Sequence, residues 1–220
     1  KCPSGSHEAV RCPGGSYQDE TGQGDCKTCP EGFFCDSTQA PVVLFNDTIC
    51  PQGYYCPNGT SYATEFPCPA GTYSNLEGLQ AVSECSLCPG GYYCDGQAQT
   101  NYSTVCTAGF YCRQGATSGT PNQGEDADEC PAGHYCPVQT SEPQKCPLGT
   151  FSSAKRLTDI AQCLNCTAGS YCGEMNLTAP SGPCQAGFYC PESSSLPTQV
   201  HCPAGHFCNA SSSVPTPCPK

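Results

Sequence analysis

CPAGTYSNLEGLQAVSECSLCPGGYYC, residues 68–94, contains in one stretch the two sequence units from which the whole chain is built. Its last seven residues, CPGGYYC from Cys88, follow the form Cys-x-x-Gly-x-aromatic-Cys. The same short unit stands at CPEGFFC from Cys29, CPQGYYC from Cys50, CTAGFYC from Cys106, CPAGHYC from Cys130, CTAGSYC from Cys166, CQAGFYC from Cys184 and CPAGHFC from Cys202. The first part of the stretch is a longer unit. It opens in the same way, replaces the closing cysteine with a polar segment, and ends in Cys-x-x-Cys. Two further long units start at Cys12 (CPGGSYQDETGQGDCKTC) and Cys146 (CPLGTFSSAKRLTDIAQCLNC). A repeat of this density decides the architecture before any single residue does.

One long unit followed by short ones divides the chain into module 1 at 12–67, module 2 at 68–145 and module 3 at 146–217. Residues 1–11 read as the end of a preceding repeat and 218–220 as the start of a further one, so the array is expected to continue in both directions. Within a unit, Pro fixes φ after the first Cys and Gly permits a left-handed turn. The aromatic before the closing Cys is placed to lie against a disulfide as a miniature core. The inter-unit segments are polar and rich in Ser, Thr and Pro, which predicts loops or short irregular strands. Only LEGLQAVSE (76–84) and AKRLTDIAQ (154–162) carry enough apolar periodicity for a helical turn. The expected fold is a small disulfide-rich repeat array, elongated and mostly irregular, with short β segments.

Composition agrees with that class. The 220 residues include 24 cysteines, a level that marks a disulfide scaffold and an oxidising compartment. Leu, Ile, Val and Phe make up only about an eighth of the chain, too little for one ordinary core. There is no Trp and one Met, so cross-links must supply what burial cannot. A net charge of −11 with scattered basic residues argues against nucleic acid and anionic membrane surfaces. No apolar run is long enough to span a bilayer.

The long unit at 68–94 resembles the ephrin-receptor-like cysteine-rich repeat, a distant relative of tumour-necrosis-factor-receptor modules. The resemblance implies an extracellular or cell-surface location. For module 1 it implies pairing of Cys12 with Cys26, Cys29 with Cys50, and Cys35 with Cys56. A competing scheme joins the cysteine after the aromatic to the next unit, as in Cys94 with Cys106 and Cys190 with Cys202. Spacing alone does not choose between such schemes.

Six sequons predict N-glycan acceptors at Asn46, Asn58, Asn101, Asn165, Asn176 and Asn209, each requiring a secretory route and surface exposure. Asn165 is the least favourable, because its middle residue Cys166 is expected in a bridge. The Ser/Thr/Pro tracts at 193–198 and 211–217 are compatible with O-glycans. The Cys-x-x-Cys pairs Cys26/Cys29, Cys85/Cys88 and Cys163/Cys166 lack a second pair or a strand-helix context, so structural disulfides are expected rather than zinc or redox sites. His7, His134, His201 and His206 read as surface residues, and the acidic run 125–129 as a solvated loop rather than a calcium site. No catalytic, cofactor or metal constellation is present in the pattern, and no enzymatic role is expected.

Two functions follow as expectations. The first is a glycosylated stalk that self-associates head to tail or laterally into a surface fibril, coat or appendage. The second is a receptor or adhesin ectodomain. Its anchors would be exposed aromatics such as Tyr62 and Phe66, or the apolar run PVVLF with Val43, Leu44 and Phe45, unless that run packs over its own disulfides.

Overall fold

The computed structural model describes residues 1–121 and 127–219, with the backbone alone at Ala127. Each short unit is a closed ring. Its Pro or equivalent second residue accepts a hydrogen bond from the amide of the fifth, as in Tyr92 N–H to Pro89 O at 3.1 Å and His134 N–H to Pro131 O at 3.2 Å. The glycine between them has φ near +80°, +84° at Gly91 and +76° at Gly133, as a turn with a left-handed third residue requires. In the short units this reversal brings the first and seventh residues to Cα separations of 5.8–6.0 Å, inside the range a disulfide spans.

The bridges are therefore local. Cys29 pairs with Cys35 and Cys50 with Cys56, which corrects the Cys29–Cys50 and Cys35–Cys56 pairing implied by the family resemblance. The competing scheme is corrected as well, because Cys94 pairs with Cys88, Cys106 with Cys112, Cys190 with Cys184 and Cys202 with Cys208. In both cases the reason is the glycine turn, which closes each ring on itself. The long units join Cys12 to Cys26, Cys68 to Cys85 and Cys146 to Cys163. A ring of sequence separation 6 gains about 2.4 kcal/mol from loop closure and one of separation 17 about 3.2 kcal/mol.

Regular structure is confined to eight two-stranded antiparallel ladders among the described residues. They obey one rule: the residues after the turn glycine pair with those just before the next opening cysteine, two on each side in seven ladders and three where Phe110–Cys112 meets Ala127–Glu129. Thr72–Tyr73 pairs with Ser86–Leu87, Thr150–Phe151 with Leu164–Asn165, and Phe188–Tyr189 with Val200–His201. The two apolar segments of the long units each end in a single 3-10 turn, Val82–Glu84 and Ile160–Gln162. Ahead of each turn stands a buried leucine, Leu79 or Leu157, 5% exposed in both cases.

Almost the whole buried core is sulfur, with most bridged cysteines at or near zero exposure. Leu79 packs with Cys68 and Cys85 under Tyr55, and Leu157 with Cys146 and Cys163 under Tyr135. The aromatic before a closing cysteine thus covers the bridge of the following long unit. Side-chain polar groups that are fully buried all have hydrogen-bond partners among the described residues, as a core this thin requires.

The chain forms two compact units, Lys1–Thr104 with Gln114–Thr117, and Val105–Arg113 with Ser118–Lys220. In the first, a backbone clamp recurs from ring to ring. Gly32 N–H donates to Cys56 O at 2.8 Å, and Gly32 O accepts from Cys50 N–H at 2.9 Å, so one glycine grips both ends of the next ring. Gly71 does the same to Cys94 and Cys88. A further bond reaches back: Gly59 N–H, just beyond the 50–56 ring, donates to Cys29 O at 2.8 Å.

The second unit repeats this arrangement by itself. Gly109 grips Cys136 and Cys130, Gly149 grips Cys172 and Cys166, and Gly169 grips Cys190 and Cys184. The long units enter the same register because a buried serine stands where a short unit has its closing cysteine. Gly53 N–H donates to Ser74 O in the first unit and Gly133 N–H to Ser152 O in the second, with those serines 3% and 2% exposed.

Candidate functional sites: sequons, an apolar edge and an acidic clamp

The residue that reaches back occupies one recurring left-handed position. Glycines fill it at 59, 78 and 115, and elsewhere Ala98, Gln139, Arg156, Asn176, Ser193 and Ser211 do so, with φ between +56° and +66°. These six are the positive-φ residues other than glycine among the described residues. Each position is held by a hydrogen bond from its amide to the carbonyl of an opening cysteine, as in Arg156 N–H to Cys130 O and Ser193 N–H to Cys166 O. Its own carbonyl abuts the turn glycine of an earlier unit: Arg156 O lies 2.9 Å from where a β-carbon on Gly109 would stand. Where that approach occurs, it adds to the positive φ as a reason the turn residue is glycine.

All six sequon asparagines are exposed, and their acceptor residues differ. Asn101 and Asn176 precede exposed Ser103 and Thr178, whereas the hydroxyl partner of Asn58 is Thr60, 1% exposed. The Thr60 hydroxyl donates to Pro57 O at 2.6 Å. Thr48, which completes the Asn46 sequon, is half-buried and donates to Phe45 O at 2.7 Å. Asn165 lies in a strand opposite Thr150, and its middle residue Cys166 is bridged to Cys172 and fully buried. Asn209 precedes Ser211, whose left-handed backbone is tied to Cys184 O.

The apolar run at 41–45 divides. Phe45 packs edge-on between Tyr17 and Phe33, with ring centroids at 4.9 and 5.0 Å. Tyr102 makes the equivalent double contact with Tyr73 and Tyr92, at 5.0 Å each. The chain thus turns the half-buried Phe45 ring in under the neighbouring aromatics. Val43 and Leu44 instead face solvent, 59% and 63% exposed. Phe66 stacks on Tyr55 at 5.7 Å, while Tyr62 stays half exposed. Beside Val43 runs a groove of about 490 Å³ lined by Lys1, Val10, Arg11, Gln18 and Glu20. Sequence reading missed this groove, since its walls come from four separate segments with no shared motif.

Near that groove Lys27 sits between Asp19 at 2.7 Å and Glu20 at 3.0 Å. The hydrogen bond from Lys27 holds the Asp19 carboxyl below the ordinary aspartate range, and the two carboxylates raise the Lys27 ammonium. Hydrogen bonds from Thr38 likewise lower Asp36. These groups are solvated, so their contribution to stability is small.

The three Cys-x-x-Cys pairs are each split between neighbouring bridges: Cys26 bonds Cys12 while Cys29 bonds Cys35, and the other two pairs follow suit. His134 and His206 place Nδ1 3.1 and 3.3 Å from the carbonyls of Ala132 and Ala204, and the His201 ring lies 4.3 Å from that of Phe188. Among the described residues no three His, Cys, Asp or Glu side chains converge as metal ligands. Of the acidic run, residues 125 and 126 lie outside the described residues, Asp128 and Glu129 pair in a strand with Tyr111 and Phe110, and Glu129 is 3.9 Å from Lys155. No helix among the described residues is long and apolar enough to cross a membrane. Cys2 and Cys218 are exposed and unbridged, and Cys218 N–H donates to Gly205 O as an opening cysteine does.

Residues 1–42 match the family described as tyrosine-protein kinase ephrin type A/B receptor-like. Among curated proteins, the chain is 34% identical over 122 residues to the ABC-type transporter claG of Penicillium crustosum, covering 55% of this chain and 14% of that protein. It is 28% identical over 178 residues to signal peptide, CUB and EGF-like domain-containing protein 2 of Mus musculus, covering 79% of this chain and 15% of the relative. Identity is 31% over 108 residues to sushi, von Willebrand factor type A, EGF and pentraxin domain-containing protein 1 of Rattus norvegicus, covering 39% and 3%. The chain thus spans only 3–15% of the length of these relatives. Together with eleven disulfides among the described residues, which persist in oxidising surroundings, the matches make this an extracellular or surface cysteine-rich repeat array.

Proposed function

We propose that this array is a non-catalytic, N-glycosylated structural stalk that contributes to a surface fibril, coat or appendage by associating with further copies. The observation that carries the reading is the glycine clamp, which within each compact unit ties one ring to the next through backbone groups alone. A clamp indifferent to side-chain identity lets a unit be added or duplicated without redesigning its neighbours, which is the logic of a repeat scaffold. Stiffness comes from the disulfide in every unit, and the exposed sequons would place glycan on the outside. Solution scattering on the chain and on a tandem duplicate tests this. A stalk gives a radius of gyration well above the roughly 17 Å of a compact 220-residue body and a strong increase on duplication; a value near that figure overturns it.

A receptor or adhesin role is the second reading, supported by the exposed pair Val43 and Leu44 beside the groove. Val43→Ala with Leu44→Ala leaves secretion intact under both readings. Loss of partner capture, with self-association unchanged, favours the receptor; loss of self-association favours the stalk.

A further inference from the structure

The buried hydroxyl at Thr60 and the buried bridge at Cys166 set two of the six sequons apart in time as well as in space. N-glycan transfer joins the asparagine side-chain nitrogen to the anomeric carbon of a sugar carried on a lipid pyrophosphate. The anomeric C–O bond breaks, the lipid pyrophosphate leaves, and the amide gives up one proton. The transferase must hold the sequon as an accessible segment with its Ser or Thr hydroxyl in reach.

In the folded array the Asn58 sequon is closed to such an enzyme. The Thr60 hydroxyl is committed to Pro57 O at 2.6 Å, its carbonyl accepts from Cys35 N–H at 3.0 Å, and Gly59 N–H donates to Cys29 O at 2.8 Å. The last two bonds run to the two cysteines that close the 29–35 ring. The Asn165 sequon is closed differently: Cys166 is bridged to Cys172, and its amide donates to Gly149 O at 2.8 Å. In contrast, Ser103 and Thr178 of the Asn101 and Asn176 sequons remain exposed.

We propose that glycan addition at Asn58 and Asn165 is confined to the interval before the surrounding rings close, so that occupancy there records a race between glycosyl transfer and thiol oxidation. The oxidation joins two thiols in a new S–S bond, and their two electrons and two protons pass by exchange to a disulfide of the secretory compartment, which is reduced to two thiols. This inference rests on the reading of the chain as a secreted glycoprotein. It makes the glycan pattern responsive to redox conditions during synthesis.

The test is site-resolved peptide mass spectrometry of the chain made in a secretory host, with and without a brief pulse of membrane-permeant reductant. Occupancy at Asn58 and Asn165 is expected to rise about twofold or more while that at Asn101 and Asn176 stays level. Equal responses at all four sites, or full occupancy at Asn58 and Asn165 without reductant, overturn the inference and leave the glycosylated reading standing. Absence of glycan from every sequon of the secreted product overturns both. A second variant, Cys166→Ser with Cys172→Ser, is read on intracellular chains and so does not depend on export. It raises occupancy at Asn165 and leaves Asn58 unchanged; a parallel change at both sites, or none at Asn165, contradicts the race.

Discussion

The carbonyl of Gly115 lies against Gly71, 2.5 Å from where a β-carbon on Gly71 would stand. Gly71 also has φ +83° and grips the 88–94 ring from both ends. A side chain there meets rigid backbone that cannot swing away.

Gly71→Ala is therefore expected to abolish secretion or to lower stability by about 3 kcal/mol or more, the left-handed strain and the clash acting together. Gly24→Ala is the matched control, since a β-carbon there has no atom closer than Cys2 O at 3.8 Å. Secreted yield and thermal unfolding distinguish the two, and equal behaviour would remove the clamp from the account.

Ser193 holds a left-handed backbone at φ +62° that glycine adopts without strain. Ser193→Gly should raise stability by up to about 1 kcal/mol, the relief of left-handed strain exceeding the added chain entropy. Arg156 occupies the same recurring position, but its guanidinium lies 4.6 Å from the Phe110 ring centroid. Arg156→Gly should instead be close to neutral, because the lost cation–π contact, about 0.5–1 kcal/mol at an exposed site, offsets the relief. Thermal unfolding of the oxidised proteins separates the two outcomes.

Non-reducing digestion reads the ring closures directly. Cleavage after Leu44 or Phe45 falls between the 29–35 and 50–56 rings. The two peptides should separate without reductant, because Cys29 pairs with Cys35 and Cys50 with Cys56. Pairing of Cys29 with Cys50 would hold them together.

The acidic clamp on Lys27 has a definite pH signature. The folded Asp19 carboxyl titrates below its unfolded value, so its small stabilisation is present above the ordinary aspartate range and fades as pH falls through the folded value. Lys27 has the opposite sign, with its contribution complete below the ordinary lysine range and lost only at strongly alkaline pH. Between those limits the contribution of this clamp should be flat with pH. In an NMR titration, Lys27→Met should return the Asp19 carboxyl to the ordinary range and leave Asp36, held by Thr38, where it is.

The cysteine spacing and the glycine of each unit made the array legible, because both residues act locally and recur. Cys12 with Cys26 is the pairing that the family resemblance gave correctly; the partners in the short units were not legible, because any even set of cysteines fits several schemes and the deciding fact is the turn at glycines such as Gly91 and Gly133 that closes each short ring on itself. Ser74 and Ser152, in the place of a closing cysteine, show that the long unit is a short one with its second cysteine displaced. The left-handed position escaped notice because Ala98, Gln139 and Arg156 fill it as readily as Gly59 does, its bonds running through backbone alone. The run 41–45 looked uniform because composition cannot say which side chain turns inward, and only Phe45 finds aromatic partners.

Electron microscopy of the native glycosylated protein tests the stalk most directly. The account expects slender rods or filaments with a regular axial repeat, lengthening when units are duplicated. Compact particles whose outline is unchanged by duplication would contradict it.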